Sequence, residues 1–401
     1  MTKSLKIILP ALLAIAAIIL VIHFKYPGLL GSKTSVTKFT DTGNGSLQSY
    51  LDQAQNLNPS GTMASTTAAF LAVGDIMLSR NVAAAIQKSG DVDLPFRNIS
   101  DILKSTDFNF ANMESPIASS TANQIVGGHS LIFGAPAGYI KGLTDYNFKI
   151  LNLANNHSSD LGFLGINDTK NILDNLGIKH EGTGDNLDEA WKPAIVNTNG
   201  ITICFIGASF ASVNDGGKTT NNYVARIEDT THLQSAIATA KSECDFVVVT
   251  MHAGVEYTRM PNSAQIKFAR AAIDDGADIV IGAHPHWMQT IEKYQGKYIF
   301  YSLGNFIFDQ AWSRDTQEGL TLKITIGKTG CSASPPLGEM SASGGQRGCS
   351  DNLQGSRQPA TLQSIELIPV IISNSQPRPA TSAETKNILN KIGETQTILT
   401  P

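Results

Sequence analysis

Between residues 70 and 372 short apolar runs alternate with amphipathic stretches. The runs "FLAVGDIML" (70–78), "DFNFANME" (107–114), "FKILNLANN" (148–156), "CDFVVVTMH" (244–252) and "ADIVIGAHPH" (277–286) predict five strands. The fourth, a run of β-branched residues with no polar alternation, reads as a strand covered on both faces. "GINDTKNILDNLGI" brings Ile166, Leu173 and Leu176 to one helical face. "NSAQIKFARAAIDDGA" predicts a helix N-capped by Asn262, with Ile266, Ala269 and Ile273 as its apolar face and Gly276 at its end. Asn199-Gly200 and Gln295-Gly296 each sit between two apolar runs and predict hairpins. "LTLKITI" (320–326) and "LQSIELIPVII" (362–372) alternate as half-covered strands. The predicted class is α/β with added antiparallel hairpins, in one domain over about 67–395.

The flanking segments change the picture. Residues 5–24, "LKIILPALLAIAAIILVIHF", predict one N-terminal transmembrane helix, since about 20 apolar residues suit a hydrocarbon core of about 30 Å. A cleaved signal peptide has a shorter apolar run followed by a small-x-small site, and no clear site follows here. Lys3 and Lys6 favour a cytoplasmic N-terminus, and Lys25 weakens that bias. The expectation is a single-pass cell-membrane protein: anchor 1–24, flexible Ser/Thr/Asn/Gly-rich linker 25–66, and an extracytoplasmic domain. A Gly/Ser-rich insertion over about 328–360 contains Cys331 and Cys349, either a disulfide or two free thiols, whereas Cys204 and Cys244 read as core residues. A net charge of −4 without a basic block argues against nucleic acid as a partner.

Polar residues collect where the predicted strands end. Asp75 closes the first, Asn112 and Glu114 the second, and Asn155, Asn156 and His157 the third. His252 closes the fourth, with Glu256 four residues on, and His284 and His286 close the fifth. Singly, each reads as a turn former, a cap or a satisfied histidine. Together they put four of the chain's eight histidines at the sheet edge where α/β proteins bind ligands. Imidazoles with carboxylates, and no thiolate, suit zinc, manganese, iron or nickel. On an extended backbone the i, i+2 spacing of His284 and His286 sends both rings to one side. Glu114 is placed to bridge two ions about 3.5–4 Å apart, Asn156 to add a neutral oxygen, and His157 to act on substrate.

The ordered set Asp, acidic residue, Asn-His, His, His-x-His resembles calcineurin-like metallophosphoesterases. "AVGDIML", "ANMESP", "LNLANNHSSDLG", "MHAGVEY", "GAHPHWMQ" and "YSLGNFIFDQ" resemble the CapA family, capsule-synthesis proteins associated with poly-γ-glutamate, over about residues 68–372. The resemblance implies a four-layer αββα sandwich with one or two divalent ions (zinc, manganese or iron). It carries metal-ligand roles to Asp75, Glu114, Asn156, His252, His284 and His286, a proton-handling role to His157, and a bracing role to Asn155. Met77 departs from the pattern, standing where phosphoesterases have a histidine. The first metal site then retains Asp75, Glu114 and His286 and is expected to be the weaker. Glu256, Ser302 and Asn305 are candidate substrate contacts, Asn305 orienting either a substrate or a ligand. Arg80, Lys104 and Arg259 are candidates to offset a polyanion. The expected function is synthesis, export or processing of an anionic poly-γ-glutamate capsule by a metal-dependent hydrolase, with the polymer or its precursor and capsule synthase or export subunits as partners. Two alternatives stay open: a non-catalytic, metal-containing subunit of a capsule synthase or exporter, and a phosphoesterase acting on envelope phosphates.

Overall fold

The computed structural model describes residues 65–212, 214, 217–329 and 358–401. The predicted anchor, the linker up to residue 64, and residues 330–357 with Cys331 and Cys349 lie outside them. Among the described residues no helix is long and apolar enough to cross a membrane.

The main elements, in chain order, begin with β1 (Ser65–Ile76), α1 (Arg80–Ser89), β2 (Phe108–Met113), β3 (Phe148–Asn152), α2 (Gly162–Asn175) and β4 (Lys179–Glu181). Next come β5 (Ala194–Thr198), β6 (Ile201–Ser209), α3 (Thr230–Glu243), β7 (Phe246–His252), α4 (Ser263–Asp274) and β8 (Ile279–Ala283). They are followed by β9 (Ile291–Tyr294), β10 (Lys297–Phe300), β11 (Asn305–Ile307), β12 (Glu318–Thr329), β13 (Thr361–Ser373), β14 (Gln376–Pro379), α5 (Ser382–Lys391) and β15 (Ile398–Leu399). The first sheet runs β14-β13-β12-β1-β2-β3-β4, with β11 beside the end of β1 and β15 beside β13. Its β1 to β4 portion is parallel. The second sheet runs β9-β10-β8-β7-β6-β5 and is parallel at its centre.

Strand alternation sorts the side chains into layers. Phe70, Ala72, Phe108 and Phe110 of the first sheet meet Phe205, Phe246, Val248 and Ile279 of the second. The Phe110 and Phe205 rings stack at 5.4 Å, and Phe70 meets Phe205 edge-on at 5.8 Å. Truncating a ring buried this way to alanine costs about 3–5 kcal/mol. On the far face of the first sheet, Leu71, Val73 and Ala111 pack with Val82 and Ile86 of α1. On the far face of the second, Ile206, Val247 and Val249 pack with Leu233 and Ile237 of α3 and Phe268 of α4. The layers are helices, sheet, sheet, helices.

Both predicted hairpins form, β5–β6 around Asn199 (φ 49°) and β9–β10 around Gln295 (φ 48°). Helix α4 carries a full capping box between Asn262 and Gln265. Cys204 and Cys244 are buried, as their apolar contexts imply, and are joined by a disulfide across 40 residues.

Two expectations about strand ends are corrected. β3 stops at Asn152 rather than running to Asn156. There, Asn152 Oδ1 accepts from Ala154 N (2.9 Å) and Ser158 Oγ from Asn155 N (2.9 Å), so side chains capture the amides a ladder would use. β8 stops at Ala283, and His284 (φ 100°) and His286 (φ 56°) are left-handed, not extended. Their rings, 6.1 Å apart, diverge to serve two different groups of ligands.

Candidate metal centre

A polar row crosses the first sheet near its carboxyl edge. Asn305, Asp75, Asn112, Asn152 and Glu181 pair directly in register, neighbour to neighbour, across β11, β1, β2, β3 and β4. All five are buried, so each polar group needs a partner. Asn152 Nδ2 donates to Asn112 Oδ1 (2.9 Å), and Asn112 Nδ2 donates to Asp75 Oδ1 (2.8 Å). At the other end Thr250 of β7 donates its hydroxyl to Glu181 Oε1 at 2.6 Å, tying the two sheets together. Burial pushes the Glu181 carboxyl up to about 8, against the Thr250 hydrogen bond. Gly207 of β6 makes this possible, because a Cβ there would lie 1.9 Å from Glu181 Oε2.

Beside the row lie ligand-competent atoms that make no hydrogen bond: Asp75 Oδ2, both Glu114 carboxylate oxygens, and Nδ1 of His252 and His284. Ligand atoms of Glu114, His252 and His284 lie within 4.8 Å of one another, as do those of Asp75, Glu114 and His286. Glu114 is common to both triads. Orphaned buried carboxylate oxygens beside imidazoles fit a divalent cation. Burial, then the charges of Asp75 and Glu256, push Glu114 well above the usual carboxylate range. Burial and neighbouring histidines push His252 and His284 well below theirs, keeping them neutral. A divalent cation held here would find neutral imidazoles, and Glu114 would bind it in its ionised form.

Asn156 Oδ1 lies 2.7 Å from Nε2 of His252, a member of the triad of Glu114, His252 and His284. His157 belongs to neither triad; its Nε2 is 3.9 Å from Glu114 Oε1. Asn155 braces the turn, accepting from His157 N (3.1 Å) and donating to Met113 O (2.8 Å). Two residues missed from sequence fix His157. Asp160 Oδ2 lies 2.7 Å from its Nδ1 while also accepting from Phe133 N at 2.7 Å, and the Phe133 ring stacks on the imidazole at 3.8 Å. The signal available for Asp160 was its place three residues after His157, one turn away.

Met77 is buried, and its sulfur accepts from Ser79 N at 3.1 Å. Glu256 is exposed, yet near enough that its charge acts on Glu114. Ser302 and Asn305 are buried: Ser302 Oγ accepts from Gly304 N (3.1 Å), and Asn305 Oδ1 lies 2.9 Å from His286 Nδ1. The expected polyanion cations are otherwise engaged. Arg80 pairs with Asp309 and lies 4.7 Å from the Phe133 ring centroid; Arg259 pairs with Asp315. Lys104 precedes β2 and so sits by the opposite, amino edge, 4.9 Å from the Tyr146 ring centroid.

Fold and site together define an α/β protein with two ligand triads sharing one carboxylate. A family model described as bacterial capsule synthesis protein PGA_cap matches residues 69–310, and the chain belongs to that family. It is 30% identical over 323 residues to the capsule biosynthesis protein CapA of Bacillus anthracis, covering 79% of this chain and 70% of that protein. It is 35% identical over 259 residues to the PGA biosynthesis protein CapA of Bacillus subtilis, covering 64% and 67%. Among solved structures it is similar to Haemophilus influenzae NAD nucleotidase, with a TM-score of 0.40 and 11% identity over 83% of this chain and 63% of that one.

Proposed function

We propose that this chain acts in synthesis, export or processing of a poly-γ-glutamate capsule as a metal-dependent hydrolase, anchored in the cell membrane by residues 5–24 with its domain outside the cytoplasm. The observation that carries the reading is the pair of triads sharing Glu114, with His157 beside them and outside both. The capsule role rests on the family. The outward orientation draws support from the Cys204–Cys244 disulfide, a bond favoured in oxidising compartments. The layer order suits a metallophosphoesterase-type sandwich.

Asp75, Glu114 and His286 would hold one ion, and Glu114, Asn156, His252 and His284 the other. Divalent ions there supply Lewis acidity and acidify water. The chain supplies the rest. Asp160 takes the Nδ1 proton of His157 in a hydrogen bond and leaves Nε2 to give or take a proton on the Glu114 side. Phe133 shields the ring face and limits its rotation. Asn112 donates to Asp75 Oδ1, and Oδ2 is the oxygen without a hydrogen bond.

Met77 favours a second reading, a metal-containing subunit without hydrolytic activity, because its buried sulfur occupies a ligand position with a poor ligand for a hard cation. Assay of the full chain with added manganese, zinc or iron on γ-glutamyl polymers and on phosphoesters separates the readings. Metal-dependent cleavage of a γ-glutamyl bond supports the first and phosphoester cleavage redirects it. Inactivity on both, with capsule production in cells surviving His157→Ala, supports the subunit.

A further inference from the structure

In the metal-binding reading, the first site has three side-chain ligands where Met77 offers none, so the aim of each ligand matters more than usual. We propose that Asn305 is a positioning residue that fixes the tautomer of His286, placing hydrogen on Nδ1 and leaving the Nε2 lone pair for the first metal. Asn305 has one acceptor oxygen and one amide nitrogen with two hydrogens. Its Nδ2 lies 2.9 Å from the backbone oxygen of Thr316 and 3.2 Å from Gln310 Oε1. The Thr316 carbonyl accepts only, so the amide cannot be flipped without setting oxygen against oxygen. Oδ1 therefore faces His286, and at 2.9 Å from Nδ1 it requires a donor there. Asp75 Oδ2, 3.4 Å from the same nitrogen, is another acceptor and favours the same tautomer. His286 Nε2 is left bare, 3.7 Å from Glu114 Oε1, on the side of the carboxylate that both triads share.

The fold prepares this relationship. Asn305 opens β11 in register with Asp75, so one ladder position sets both the carboxylate and the group that orients its partner histidine. Gly74 permits the approach, since a Cβ there would lie 1.9 Å from Gly304 O. Asn305 is wholly buried and touches no open surface, which suits positioning and not contact with substrate.

Two measurements on the full chain test the inference. The first is long-range ¹H–¹⁵N correlation of ¹⁵N-histidine-labelled, metal-free protein, at a pH where its imidazoles are neutral and with His286→Gln for assignment. The pattern of an Nδ1–H tautomer is expected for His286; an Nε2–H pattern overturns the proposal. The second is zinc and manganese titration of wild type, Asn305→Leu and Asn305→Asp. Loss of an outer partner of a metal-bound histidine typically costs about 10–100-fold in affinity, so Asn305→Leu should weaken one site by that factor and spare the other. Asn305→Asp keeps an acceptor opposite Nδ1, so it should lose stability yet retain metal within a few-fold of wild type. Equal loss in both variants, or none in Asn305→Leu, overturns the proposal. If Asn305→Leu does not fold, the tautomer and the aspartate variant decide. A wild type that binds no divalent ion defeats the metal reading instead, while the tautomer spectrum still judges the role of Asn305.

Discussion

Asn156 and His157 are adjacent in sequence and point to different partners: Asn156 Oδ1 lies 2.7 Å from His252 Nε2, whereas His157 Nδ1 lies 2.7 Å from Asp160 Oδ2. In the proposed reading one would belong with the metal ligands and the other would stand beside them. Asn156→Ala should therefore lower metal occupancy of the second site. His157→Ala should leave metal content near wild type and reduce hydrolytic turnover by about 10²–10⁴. Metal analysis beside turnover checks the division of labour; a His157→Ala protein as metal-poor as His252→Ala would reverse it.

Asp160→Asn tests how His157 is held. An amide in place of the carboxylate either sets an N–H against the Nδ1 hydrogen or offers a weaker acceptor. Turnover should fall about 10-fold or more with metal content unchanged. Unchanged turnover would argue that Asp160 serves only its bond to Phe133 N.

Glu181 makes stability depend on pH. Its carboxyl titrates near 8 when folded, against 4.5 for the ordinary group. The folded state thus binds this proton more tightly than the unfolded state, and its stabilising effect is full below about pH 4.5. That contribution falls as pH rises from 4.5 towards 8 and is lost above. Glu181→Gln retains an acceptor for Thr250 and removes the ionisation. Its melting temperature should exceed that of wild type by several degrees at pH 8.5 and match it near pH 5. A pH-independent difference between the two proteins would refute the assignment.

The Cys204–Cys244 bond closes a 40-residue loop between β6 and the start of β7. A crosslink of that span typically contributes about 2–4 kcal/mol. Cys204→Ala/Cys244→Ala should lose about that much in urea unfolding, and adding reductant should not destabilise the double variant further. Reductant sensitivity that persists in the double variant would point to Cys331 and Cys349.

Much of this site was legible in the chain because strand ends announce themselves. Asp75, Glu114, His252 and the histidine pair each break an apolar run, and the fold brings all of them together. The hairpin at Asn199-Gly200 and the helix capped by Asn262 were legible too, being local turn and cap chemistry. What stayed hidden depends on register between distant segments. Nothing near Glu181 in sequence shows that it lies beside Asn152 and under Thr250. Cys204 and Cys244 look like ordinary core residues until β6 and the α3–β7 junction are set side by side. The His-Pro-His stretch misled because an i, i+2 rule holds only for extended backbone, and His284 and His286 both leave it.

The proposed role of Glu114, which is common to both triads, is to serve two ions at once. It is tested most directly by the metal content of purified full-length wild type and Glu114→Ala after equilibration with excess manganese or zinc and removal of free ion. Wild type should hold two divalent ions of unequal affinity, the weaker at the site beside Met77. Glu114→Ala should lose both, whereas His252→Ala should lose chiefly one. A Glu114→Ala protein that keeps the wild-type complement of metal would contradict the account.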